Sequence, residues 1–276
     1  MQEKIHRAFN LPSSVYEGLL DEAEDQVGRL RDMFPLSEHD RIALRSYDEA
    51  FLVRFTYNSA AIEGSTLTLA DTELVLEGEF MPSDAGSKRL RDVFAARGIA
   101  EGCEYAQEAL ESGRPLTEEL VKDVHEKTAL DCQPRTRGSY RTSAVYISGS
   151  ETVPASATRL REFMADLVFA CDRSAEPAIV KAAAFHAMFE MIHPFQDGNG
   201  RAGRILLNYL LGQAGYPPIA IKASLRSDYL RALEDWQVRD DPRLLIASVA
   251  RCVADESAAR RAGLEETRAA VAASAR

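Results

Sequence analysis

Nowhere in the chain do about 18 apolar residues run together, so nothing in it reads as a membrane span. The opening MQEKIHRAFN lacks the apolar centre of a secretion signal. Cysteine is scarce. The four thiols, Cys103, Cys132, Cys171 and Cys252, stand far apart without a CxxC or a short Cys/His spacing, which argues against a disulfide framework and a structural zinc site. Ordinary buried thiols in a reducing, cytoplasmic setting are expected. Positive charge is also short: 33 Lys and Arg face 43 Asp and Glu, a formal charge of −10. Nucleic-acid binding needs a basic face that releases phosphate counterions, so no nucleic-acid partner is expected and any anion site must be local. No low-complexity tract or fixed-period repeat is present.

Helical spacing of apolar residues fills most of what remains and predicts an all-α fold, a helical bundle with one short β-hairpin. Ser13 or Ser14 is a candidate cap for a helix carrying Val15, Leu19, Ala23, Val27 and Leu30. Ser37 with Asp40 resembles a capping box for a long helix that ends at Gly64. Thr68 opens a short helix to Gly78, the loop MPSDAGSK follows, and another helix runs to about Leu110. The breaker SGRP from Ser112 to Pro115 marks a boundary, giving segments 1–112, 113–215 and 216–276. Between Gly138 and Pro154, β-branched and aromatic residues alternate with turn formers, the chain's one strand signal. Ile179, Phe185, Phe189 and Ile192, then Ile205, Leu206, Leu210 and Leu211, belong to two helices apolar on most faces and therefore central. The tail from Asp255 reads as an exposed helix with a frayed end.

Between those two apolar helices lies HPFQDGNGRAGR, residues 193–204, the most polar short loop of the chain. Gly198, Asn199 and Gly200 free the backbone to aim successive amides at one point, and the helix that follows adds its unpaired N–H groups and its positive dipole end. Arg201 and Arg204 share a helix face at the end where cations are disfavoured, by about 0.3–1 kcal/mol each, a deficit a bound polyphosphate more than offsets. His193 has the pKa class of a proton acceptor near neutrality. Asp197 beside an anion nest makes sense if a cation bridges it to phosphate, and Mg²⁺ is the natural bridge. Zinc is disfavoured by the absence of HExxH.

Taken whole, this loop resembles the Fic family signature, HxFx(D/E)GNGRxxR, with every defining position filled. GSYRTSAVYISGS resembles the family's substrate-docking flap, and LLNYLLGQAGYPP and LRSDYLRALEDW extend the likeness to about residues 114–250. The resemblance implies a protein adenylyltransferase. His193 takes the proton of a Ser, Thr or Tyr hydroxyl as that oxygen attacks the α-phosphorus of ATP, Asp197 holds Mg²⁺, and Gly198, Asn199, Gly200, Arg201 and Arg204 receive the phosphates. It also implies target docking along Val145, Tyr146, Ile147 and Ser148 by β-augmentation, and adenine contacts at Tyr229 and Gln237. The expected partner is a target protein with an acceptor hydroxyl, the chain itself included; a homodimer stays open, and no membrane is expected.

Upstream, Ser59, Glu63 and Gly64 in NSAAIEGSTLTL match the inhibitory pattern (S/T)xxxE(G/N) of Fic proteins that carry their own blocking helix. An ion pair between Glu63 and Arg204 would occupy the arginine meant for the γ-phosphate. Two alternatives remain at this level. One is the same scaffold with another donor, or with the reverse, AMP-removing activity. The other is a non-enzymatic nucleotide-binding regulator, which an intact His193 disfavours.

Overall fold

The computed structural model describes residues 1–79 and 87–274. The expected MPSDAGSK loop lies outside them except for its last two residues, which open a helix. Among the described residues there are eleven α-helices and no strand: α1 (Gln2–Ala8), α2 (Asp21–Arg31), α3 (Glu38–Ile62), α4 (Leu69–Glu77), α5 (Ser87–Glu111), α6 (Glu118–Thr128), α7 (Leu160–Arg173), α8 (Ala178–Ile192), α9 (Asn199–Gln213), α10 (Arg226–Arg239) and α11 (Arg243–Ser274). None of these is long and apolar enough to cross a membrane.

Local chemistry sets the helix starts that position the site. Ser37 Oγ accepts from the Asp40 amide at 3.2 Å while Asp40 Oδ2 accepts from the Ser37 amide at 2.9 Å, the reciprocal box that opens α3. Phe51, Phe55, Ser59 and Ile62 then recur on one buried face of α3. Gly64 at φ 89° turns the chain out, with the Ser65 amide closing on the Ala60 carbonyl at 3.1 Å. At the centre, α8 is buried along nearly its whole length and packs on α9. One hydrophobic core runs from Ile5 to Ala254, so the segments 1–112, 113–215 and 216–276 share it.

Three expectations differ from the structure. Ser13 to Val15 form only a 3-10 turn, and α2 starts at Asp21, where Asp21, Glu22 and Glu24 suit the positive end of a helix. The tail is not simply exposed: α11 packs closely on α2 and buries Ser257, Arg260 and Leu264. The expected β-hairpin has no ladder: within residues 139–156 the bonds are local turns and side-chain contacts, and the segment's ends bond to neighbouring elements. The Arg141 amide donates to the Pro194 carbonyl at 2.9 Å, the Ala155 amide to Ile192 at 3.3 Å, and Thr152 Oγ1 to Gln237 Oε1 at 2.7 Å. A flap remains, anchored at both roots.

Candidate functional site

Helix α8 ends at His193, which takes the left-handed conformation φ 52°, ψ 61° while its amide still bonds to the Phe189 carbonyl at 2.9 Å. Non-glycine residues adopt that conformation rarely, so the loop is held there by its surroundings. The imidazole Nδ1 lies 3.2 Å from the Glu190 carbonyl. Donation from Nδ1 leaves Nε2 as the basic nitrogen. Burial pulls the imidazole below its ordinary value of 6.5, against the opposing Glu190 carbonyl contact, so the ring is neutral at pH 7.

Phe195 is wholly buried and stacks on His125 with ring centroids 3.6 Å apart. The Gly138 amide donates to His125 Nδ1 at 3.0 Å, which fixes the tautomer; Nε2 then donates to the Asp197 carbonyl at 2.8 Å. Burial drives this imidazole down to about 4, so the clamp stays neutral. The Asn199 side chain closes the turn, accepting from the Phe195 amide and donating to the Phe195 carbonyl, both at 2.9 Å. Gly198 supplies the sharp bend at φ 81°, and α9 begins at Asn199, five residues ahead of Arg204.

Both arginines are buried. Arg201 Nη1 lies 2.5 Å from Asp131 Oδ1, and the two side chains are 4% and 3% exposed. Arg204 donates from Nε to Ser59 Oγ at 3.0 Å, and from Nη2 to the Ser59 carbonyl at 2.9 Å and Glu63 Oε1 at 2.8 Å. Glu63 itself is 45% exposed. Its partial burial acts to raise the carboxyl pKa, but the charge and hydrogen bond of Arg204, with Arg201 and Arg226 behind, hold it below the ordinary 4.5. Space for this contact exists because residue 200 is glycine: a Cβ there would meet Glu63 Oε1 at 2.2 Å.

Asp197 stands half-exposed at the mouth of the turn, accepting from the Gly198 amide at 2.7 Å; its other oxygen is held by Arg91 Nη2 at 2.5 Å. One ligand atom each from Asp131, Cys132 and Asp197 lie within 4.8 Å of one another. A hard carboxylate half-exposed beside the glycine turn fits Mg²⁺, which takes one or two carboxylates plus water and phosphate oxygens. Cys132 adds no suitable donor for that ion.

Several residues here were given no role in the site by the sequence. Arg141, 5% exposed, donates to the carbonyls of His193 at 2.8 Å, Ser143 at 2.8 Å, Ala155 and Ile192, tying the flap root to the C-terminal end of α8. Asp131, Arg91 and His125 belong to no motif, and only chain folding brings them to the loop. Glu190 is buried with Oε1 unpartnered, and its carboxyl is pushed up to about 8 by burial despite Arg204, so near neutrality it is largely a protonated acid.

The other expected residues divide. Val145 and Ile147 are half-buried on the flap, Ser148 is exposed, and Tyr146 stands 92% exposed. Tyr229 is buried, its hydroxyl 2.6 Å from His186 Nε2 on the wall behind Arg204. Gln237 points into the core: its amide nitrogen donates to the Ala187 carbonyl at 2.9 Å and its oxygen accepts from Thr152. Both ends of the Gln237 amide are thus hydrogen-bonded, one to α8 and one to the flap.

A family profile described as Fic/DOC family matches residues 115–211. The chain is 30% identical over 233 residues to the protein adenylyltransferase Fic of Nematostella vectensis, covering 83% of this chain and 53% of that protein. It is 29% identical over 234 residues to protein adenylyltransferase fic-1 of Caenorhabditis elegans, covering 82% and 44%. It thus spans about half the length of the curated relatives it matches. Among solved structures, a Fic domain containing signaling protein from Bacteroides thetaiotaomicron superposes with TM-score 0.77 at 26% identity, covering 89% of this chain and 98% of that one. Residues 134–508 of C. elegans Fic-1 give the same TM-score at 22% identity over 91% and 72%, a likeness of fold.

Proposed function

The chain belongs to the Fic/DOC family, and from that premise we propose that it transfers AMP from Mg-ATP to a protein hydroxyl and that Glu63 restrains the transfer. One observation carries the reading. A neutral imidazole, His193, ends one buried helix, while the next begins with a glycine turn backed by two buried guanidiniums, Arg201 and Arg204. A basic nitrogen beside an anion nest suits attack on phosphorus by a hydroxyl.

In this mechanism the target's oxygen bonds to the α-phosphorus of ATP, the bond from that phosphorus to the bridging oxygen breaks, and pyrophosphate leaves. His193 Nε2 receives the hydroxyl proton. The amides of Asn199 and Gly200 and the helix dipole of α9 receive phosphate oxygens, the Gly198 amide joining them once it leaves Asp197 Oδ1, and Arg201 and Arg204 neutralise the outer phosphates. Asp197 would hold magnesium, which when bound screens the charge of the phosphates. His125 fixes the Asp197 backbone and Arg141 the His193 backbone, so the base and the nest keep their spacing.

Glu63 occupies the face of Arg204 that a γ-phosphate needs, with Ser59 completing the grip. This geometry supports autoinhibition: nucleotide entering while the pair is closed lacks its outer anchor and sits badly for attack. The flap residues Val145 to Ser148 suit an extended target segment, since their backbone has no ladder partner among the described residues. Tyr229 lines the wall next to Arg204, and we assign it to the nucleotide side of the site.

The test is labelling of the chain and of a lysate with ATP carrying the label at the α- or the γ-position. Transfer of the α-label alone, increased in Glu63→Gly and lost when His193→Ala is added, is the expected result. Transfer of the γ-label would replace nucleotidyl by phosphoryl transfer, and nucleotide binding with no labelling at all would leave a binding regulator.

A further inference from the structure

We propose that Arg91 is a second lock on this site: its guanidinium stands where a divalent cation would bind Asp197, and must leave before the site is loaded. The inference rests on the nucleotide reading above and concerns a residue outside the sequence motifs. Arg91 lies near the start of α5, with Nη2 2.5 Å from Asp197 Oδ2 and Nε 3.1 Å from Asp131 Oδ2. Asp131 already serves as the buried partner of Arg201. The four side chains therefore form a cluster in which two carboxylates are balanced by two guanidiniums.

Exposure separates the members. Arg201 and Asp131 are 4% and 3% exposed and belong to the interior, whereas Arg91 and Asp197 are 57% and 50% exposed. An exposed pair costs little to open. Withdrawing Arg91 leaves the remaining three side chains with one surplus negative charge beside a carboxylate that faces the turn, and this is the charge state that attracts a dication. The cation and Arg91 compete for the same oxygen. In the resting chain Glu63 thus stands in for a phosphate on Arg204, and Arg91 stands in for the metal on Asp197.

The two contacts are carried by different helices, α3 and α5, and act on different atoms, so their effects on binding should be independent. The probe is Mn²⁺ with a non-hydrolysable ATP analogue, followed by electron paramagnetic resonance of free Mn²⁺ on the full chain. Arg91→Ala is expected to tighten Mn²⁺ by about two- to fivefold, the range of an exposed ion pair, both in the natural sequence and with Glu63→Gly. Arg91→Lys should stay near the natural value, because it keeps the competing charge. Asp197→Ala should weaken Mn²⁺ and abolish any further effect of adding Arg91→Ala. An unchanged or weaker affinity in Arg91→Ala, or a tightening that survives Asp197→Ala, overturns the lock. If Asp197→Ala binds Mn²⁺ as well as the natural chain, the cation ligand of the proposed function fails as well; if it weakens binding while Arg91→Ala changes nothing, only the lock fails.

Discussion

Replacing Glu63 tests the brake directly, and the size of the effect follows from its surroundings. Arg204 keeps two bonds to Ser59 when the carboxylate is removed but loses the ion pair at 2.8 Å. A hydrogen bond between charged groups contributes about 1.5–3 kcal/mol. Because Glu63 is 45% exposed, solvent screening brings the closing energy to about 1–2 kcal/mol. That favours the closed over the open arrangement by about five- to thirtyfold. Initial rates of α-label incorporation should therefore rise by about five- to thirtyfold in Glu63→Gly. Glu63→Gln, which keeps an oxygen acceptor but no charge, should fall between the two. In the same variants Arg204 is left buried without a counter-ion, so the melting temperature should drop and Mg-ATP should restore more of it than in the natural chain. The pH sense is fixed by the depressed Glu63 carboxyl: the closing energy is fully present above the ordinary 4.5 and fades as pH falls through the lowered value. Equal rates for the natural chain, Glu63→Gly and Glu63→Gln, with His193→Ala inactive, would refute the pairing as the restraint.

Three further outcomes are expected. With burial holding His193 below 6.5, the acid limb of the rate profile of Glu63→Gly should lie below that pH, since only the neutral ring accepts a proton; a limb above 6.5 contradicts the assignment. Arg141→Lys cannot reproduce four carbonyl contacts at one planar fork, so rate should fall by about tenfold or more with the base displaced, while nucleotide affinity, read by calorimetry, stays close to the parent's. Asp40, held down to about 2 first by its hydrogen bond to Arg268 and then by the Ser37 amide, supports the folded state above its free value near 3.8 and loses that support as pH falls toward 2. Arg268→Ala should accordingly lower the melting temperature at pH 7 and make it less sensitive to acid below pH 4.

Motif chemistry and helical periodicity were legible because they depend on neighbours in sequence. The capping box at Ser37 and Asp40, the two apolar helices and the polar loop between them all appear where spacing predicted. Long-range partners were not legible. Asp131 reads as one acid among many until folding brings it 2.5 Å from Arg201, and Arg91 belongs to a helix that reaches Asp197 only in three dimensions. Period failed where small or charged residues do the packing: Ser257 and Arg260 of α11 are buried but carry no apolar signal. It failed differently in the flap, where residues with strand propensity spend their hydrogen bonds on α8, α10 and the loop, so that context overrode intrinsic preference.

The two arginines of the turn carry the same charge from the same helix, yet the chain treats them unlike. Arg201 is matched by Asp131, an acid as buried as itself; separating that pair would strand a charge in the interior, a cost of about 3–5 kcal/mol that nothing in a resting cycle supplies. Arg204 is matched by Glu63, at the C-terminal end of α3, where the helix dipole is negative and a carboxylate is unwelcome. Nearly half of that side chain already meets water. The first arrangement holds a permanent cation against the site. The second holds one that can be released, because the acid gains hydration and escapes the dipole when the pair opens. On the proposed reading a γ-phosphate and Glu63 compete for this one guanidinium, and nucleotide that enters while the carboxylate holds it stays in the unproductive pose.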